Sequence, residues 1–105
     1  MRTVIMALAL AAGAVAAPAQ ELGDRAAGLR LAQAWCSECH LVEEGRVQQN
    51  AARPPSFSTI ANRAEVTPVW LNVFFQTPHP VMPNIMLTPG QRDDIAAHIL
   101  SLKRR

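Results

Sequence analysis

The 105-residue chain is poor in cysteine, aromatic residues and net charge: it has two cysteines, no tyrosine, 5% aromatic residues and a formal charge of +2. A zinc site is not expected, because no second cysteine pair exists and His79 and His98 alone do not supply ligands at metal-binding spacing. Nucleic-acid binding is not expected either, since it needs a basic surface with interleaved aromatic residues. The sequence also lacks a phosphate-binding loop, an acid and base pair, and a nucleophile with an orienting partner, so we do not predict an enzyme.

Long apolar segments are also missing, except at the N-terminus. Residues 4–17 form an apolar run behind a short positive start, but about 14 residues fall short of the roughly 20 that cross a bilayer. The small residues Ala17 and Ala19 stand just before Gln20, as signal peptidase prefers. We therefore predict a secretory signal peptide over residues 1–19 and one mature domain over residues 20–105. That domain is expected in the periplasm without membrane insertion; an uncleaved anchor is the alternative.

The two cysteines stand in one motif, Cys36-Ser37-Glu38-Cys39-His40. This CxxCH pattern is typical of covalent haem attachment. The two thiols form thioethers with the haem vinyl groups and the adjacent imidazole binds iron, which leaves one axial position open. A thioredoxin-like thiol pair is the main rival interpretation and a structural disulfide is another. The thioredoxin-like site needs a preceding strand, whereas residues 26–35 indicate a helix, so we favour haem c.

The remaining axial position is assigned to a methionine. Only Met82 and Met86 remain after the predicted signal cleavage. Prolines brace Met82 on both sides and hold its segment extended, and a neutral thioether opposite histidine favours the reduced state of haem iron. We predict Met82 as the second axial ligand and expect Met86 to pack in the core. His79 is a minor alternative ligand without another expected role.

Two further residues are predicted to contact the haem or its ligand. A haem-ligating imidazole usually donates its other N–H to an acceptor, and we assign this acceptor for His40 to the carbonyl of Pro55, with Pro54 as the alternative. Trp70 is a candidate for an indole hydrogen bond to a haem propionate. It belongs to an apolar helix face that we expect to form the core face against haem. That face consists of Trp70, Val73 and Phe74.

Capping residues predict where the helices begin. Asp24 precedes a first helix that ends at Trp35, and Ser56 precedes a short helical turn. Thr67-Pro68 and Thr88-Pro89 open two further helices, and Gln91 completes a capping box in the last one. In the first helix, Gly28 and Ala32 share one face that allows another helix to approach closely. His98, in the last helix, is expected to be packed or partly exposed.

With CxxCH after an N-terminal helix and Met82-Pro83 before a capped C-terminal helix, the chain resembles the small monohaem class I c-type cytochromes of bacteria. The resemblance implies an all-α cytochrome c fold, with three to five short helices wrapped around one covalently bound haem. It also implies that the first and last helices cross at Gly28, against Ile95 and His98. Ala32 and His98 stand where that family commonly has aromatic residues, and these two departures concern the tightness of the crossing.

The same resemblance implies one-electron transfer through haem c with histidine and methionine as axial ligands. The partners are then a redox protein donor and acceptor, in short-lived complexes at the haem edge near Cys36 and Cys39, and the chain is expected to be a monomer. It could serve as the electron-accepting subunit of a dehydrogenase. The alternatives are a haem-based sensor or weak peroxidase with a labile sixth ligand, and the thioredoxin-like thiol oxidoreductase.

Overall fold

Residues 11–14 and 23–104 are described by the computed structural model. Within them the chain forms four α-helices and no β-strand, which confirms the all-α prediction. The helices are α1, Arg25–Trp35; α2, Phe57–Ala61; α3, Pro68–Phe75; and α4, Pro89–Ser101. Most of the predicted signal peptide lies outside the described residues. None of the described helices has the length and apolar character needed to cross a bilayer.

Each of the four helices begins at a side chain that accepts a hydrogen bond from a backbone N–H group in the first turn. These N-cap residues are Asp24, Ser56, Thr67 and Thr88. At the start of α4 the bond is reciprocal, since the Gln91 side chain accepts from the Thr88 N–H at 2.9 Å and Thr88 Oγ1 accepts from the Gln91 N–H at 3.2 Å. All four predicted starts are confirmed, and each satisfies donors that the helix itself leaves unpaired.

Helices α1 and α4 cross at Gly28, where the two backbones nearly touch. A Cβ atom added at Gly28 would overlap the Asp94 carbonyl and lie 3.0 Å from His98 Cβ. Near this crossing, the Asp94 carboxylate accepts a 2.8 Å hydrogen bond from the Asp24 backbone N–H. Ala32, one turn further along α1, is fully buried. The predicted crossing is therefore present and tight.

Helix α3 uses a different face from the predicted one to reach the protein core. Leu71 is buried and Phe75 packs against the core; the two are four residues apart and so share a face. Val73 lies about 200° around the helix from Leu71, on the opposite side, and is 58% exposed. The prediction that Val73 forms part of a core face is therefore wrong. Trp70 and Phe74 lie between these two sides and are partly buried.

Met86 was predicted to pack in the core, and this too is wrong: the side chain is 88% exposed. The chain between Pro83 and α4 has no helical structure. Leu87, the next residue, packs against the core, and its carbonyl accepts a 3.0 Å hydrogen bond from Arg92 Nη1. Burial alternates along this stretch, with Ile85 and Leu87 partly buried on either side of Met86, as it does where successive side chains point to opposite sides.

Candidate functional site

The CxxCH motif forms a turn that folds back on the end of α1. The Cys36 N–H still donates to the Ala32 carbonyl at 2.8 Å, while the N–H groups of Cys39 and His40 both donate to the Cys36 carbonyl, at 3.2 and 2.9 Å. Cys36 is partly buried and Cys39 is exposed, and no disulfide joins them. The turn thus presents two thiols and one imidazole from five consecutive residues.

The thiol environment does not suit a thioredoxin-like pair. Burial, with a smaller contribution from the nearby Cys39 thiol, raises the pKa of the Cys36 thiol to about 11. A reactive thiol of that class needs a lowered pKa, because the thiolate is the nucleophile. The element before the motif is a helix and not a strand. Both observations weigh against thiol exchange chemistry at this motif.

One hydrogen bond orients the His40 ring and leaves its other ring nitrogen free. Its Nδ1 lies 2.6 Å from the carbonyl oxygen of Pro55, and since a carbonyl can only accept, Nδ1 carries the proton. The lone pair of Nε2 is therefore available to a metal. The chain after Pro55 is also bonded beside His40, because the Phe57 N–H donates to the Leu41 carbonyl at 2.9 Å. Of the two prolines considered, Pro55 is the one that makes this hydrogen bond.

His98 contributes a contact that sequence reasoning missed. Its side chain is buried, and Nε2 donates to the Val42 carbonyl at 2.6 Å, which ties α4 to the segment after His40. The Phe57 ring lies between the two histidines, with its centroid 5.5 Å from that of His40 and 6.1 Å from that of His98. The only sequence signal was the position of His98 three residues after Ile95, on the apolar stripe of α4. The crossing of α1 and α4 is tight at Gly28 although His98 stands at a position where the family commonly has an aromatic residue.

A cleft opens beside the motif. Its walls come from the end of α1, the end of α3, the segment of residues 77–87 and α4. Cys36 and Met82 both line it, so the structure brings these two predicted site residues together, whereas Met86 is not part of its wall. The other principal lining residues are Trp35, Phe74, Phe75, His79, Ile85 and Ile95.

Trp70 does not line this cleft. It borders a neighbouring, more open groove along α3, together with Val69 and Val73, and its ring stacks on Phe74 with a centroid distance of 5.1 Å. Phe74 and His79 belong to the walls of both the cleft and the groove. Trp70 therefore contacts Phe74, a wall residue of the cleft, without lining the cleft itself.

The cleft and the adjoining CxxCH turn together supply the donor set of haem c, with Cys36 and Met82 in the wall of the cleft and Cys39 and His40 outside that wall. The set comprises two thiols for covalent attachment, an imidazole with its Nε2 lone pair free, a thioether and mainly apolar walls. Among residues 11–14 and 23–104, no group of three or more histidine, cysteine, aspartate or glutamate side chains could hold a metal ion by itself. The thiols, the imidazole and the thioether suit an iron porphyrin.

Comparison with known proteins gives one informative match. The chain is 36% identical to cytochrome c-552 of Bradyrhizobium diazoefficiens over 103 residues, which cover 98% of this chain and 95% of that protein. No protein-family model matches the chain, and no solved structure gives a significant match. The similarity extends over nearly the whole of both chains.

Proposed function

The chain belongs to the c-type cytochromes, and from that premise we propose that it is a periplasmic one-electron carrier with His40 and Met82 as the axial ligands of its haem. As a member of the family it carries covalently bound haem c and serves electron transfer rather than catalysis. One observation supports the ligand assignment most directly: Cys36 and Met82 line the same cleft. Next to it, the Pro55 carbonyl leaves His40 Nε2 free.

Each of these residues has a separate task. Cys36 and Cys39 form the thioether links, and their turn at the end of α1 fixes the position of the adjacent imidazole. The Pro55 carbonyl fixes the tautomer of His40 and makes its Nε2 a better donor. Haem c supplies the one-electron chemistry, in which iron alternates between the ferric and ferrous states. Met82 offers a neutral thioether that favours the reduced state.

Redox partners are expected at the exposed edge of the motif. Cys39 is exposed and Trp35 is 43% exposed, so a donor or acceptor protein can approach the cleft from the end of α1. Contacts of this kind are small and short-lived in electron-transfer complexes.

Export requires the predicted signal peptide over residues 1–19, and the mass of the exported holoprotein should correspond to a chain that begins at Gln20. A chain that keeps residues 1–19 and stays with the membrane fraction would contradict the cleavage.

The decisive experiment is the absorption spectrum of the exported protein in both redox states. We expect the bands of covalent haem c and, in the ferric state, the weak far-red band of methionine ligation. The band should vanish in Met82→Ala and persist in Met86→Ala, which is a matched control because Met86 is 88% exposed. If haem is bound but five-coordinate and high-spin in the unsubstituted protein, the carrier assignment fails in favour of a sensor or weak peroxidase.

A further inference from the structure

The segment that carries Met82 has few means of holding its own shape. Residues 78–88 contain no helix, and the three prolines at positions 78, 80 and 83 provide no backbone N–H donors. Val81, directly before Met82, is 91% exposed, so burial of this neighbour does not fix the segment either. A ligand on such a segment needs a side-chain attachment to the rest of the fold.

His79 makes such an attachment in two ways. Its Nε2 lies 3.0 Å from the Phe74 carbonyl oxygen, and because a carbonyl only accepts, Nε2 is the donor. Its ring also stacks on the Phe74 ring, with centroids 3.8 Å apart and planes inclined by 22°. His79 thereby fastens the chain to the end of α3 three residues before Met82. Both His79 and Met82 line the same cleft.

We propose that His79 is a positioning residue for Met82: its hydrogen bond and ring stack on Phe74 keep the thioether in the cleft. The proposal rests on the His40 and Met82 ligation proposed above. In this role His79 does not bind iron: its Nε2 is engaged by the Phe74 carbonyl, and its ring holds the segment that carries Met82. Loss of His79 frees the loop, and Met82 then leaves the cleft more often.

Three variants separate the two contacts. His79→Ala removes the hydrogen bond and the stack, whereas His79→Phe removes only the hydrogen bond. Gln76→Ala is the matched control, because Gln76 Nε2 donates to the Asn72 carbonyl at 3.0 Å. That bond also joins a side chain to the backbone at the end of α3, but Gln76 is exposed and does not line the cleft.

The test is a titration of the ferric holoproteins with imidazole, which competes with Met82 for iron, followed by loss of the far-red band. We expect His79→Ala to bind imidazole about 5- to 150-fold more tightly than the unsubstituted protein, the range that corresponds to losing one hydrogen bond and one ring stack. His79→Phe should fall between the two, and Gln76→Ala should match the unsubstituted protein. In proteins saturated with imidazole, the Tm followed by helical circular dichroism should be similar for His79→Ala and the unsubstituted protein, because Met82 is then already displaced. A purely structural role of His79 would lower that Tm as well.

The outcomes distinguish this proposal from the ligation on which it rests. If the unsubstituted protein shows the far-red band and His79→Ala binds imidazole no better than Gln76→Ala, the role of His79 is refuted while Met82 ligation stands. If the unsubstituted protein lacks the band and Met82→Ala leaves its spectrum unchanged, Met82 is not the ligand and the positioning role fails with it. In that second case, a spectral change in His79→Ala would identify His79 itself as the ligand.

Discussion

Replacing Gly28 with alanine tests how closely α1 and α4 pack. In an unpacked helix the change would be favourable by about 1 kcal/mol, because glycine is the poorer helix former. Here the new Cβ would overlap the Asp94 carbonyl and lie 3.0 Å from His98 Cβ. A backbone carbonyl inside a helix cannot rotate away as a flexible side chain can. The two helices must therefore separate for the methyl group to fit.

The expected magnitude follows from these two opposing effects. Overpacking of a well-packed core costs about 1–3 kcal/mol, and rigid backbone contact places this site at the upper end. After subtraction of the helix-propensity gain, Gly28→Ala should lower the free energy of unfolding by about 2 kcal/mol. For a domain of this size, that corresponds to a fall in Tm of roughly 8–16 °C.

Gly90→Ala is the matched control, because Gly90 lies in the first turn of α4 with nothing within 4 Å of the added Cβ. It should be neutral or more stable by up to about 1 kcal/mol. Thermal unfolding of the oxidised holoproteins, followed by helical circular dichroism, compares both variants under one condition. A Gly28→Ala protein that melts at or above the unsubstituted temperature would refute the tight crossing.

Two further substitutions probe other parts of the fold. His98→Leu should lower the free energy of unfolding by about 1–3 kcal/mol, because it leaves the Val42 carbonyl without its donor in a buried place; an unchanged guanidinium midpoint would show that water replaces the imidazole. Thr88→Ala should cost about 1 kcal/mol through loss of the N-cap. For Thr88→Ala this cost should appear as a fall in Tm of about 4–8 °C. An unchanged Tm would mean that the Gln91 side chain alone suffices to start α4.

The helix starts were predictable because their causes are local. Thr88, Pro89 and Gln91 lie within four positions, and the hydrogen bonds that they form need no other part of the chain. The helix crossing was also predictable, since Gly28 and Ala32 place two small residues on one face of α1. Spacing of that kind allows close approach whatever the partner is. The sequence alone could not show how far His98 would be buried in that contact.

Contacts between distant segments could not be predicted in the same way. The hydrogen bond from His98 to Val42 joins residues 56 positions apart, and nothing marks the Val42 carbonyl in the sequence because every residue has one. The same reason left Pro54 open as an alternative to Pro55 as the acceptor for His40. Backbone acceptors are chosen by three-dimensional position, so residue identity predicts the donor better than the acceptor.

The two corrections have a common physical cause. Val73 was predicted to be buried from its place on an apolar helix face and Met86 from its place beside the last helix; their exposed fractions are 58% and 88%. In both places a neighbour occupies the core instead: Leu71 in α3, and Leu87 in the segment before α4. Which residue of an apolar run is buried depends on the local backbone. Successive side chains are rotated by about 100° in a helix and by about 180° in an extended chain. Met82 was assigned by a different argument, the prolines on both sides, and it is the methionine that the backbone brings to the cleft beside Cys36.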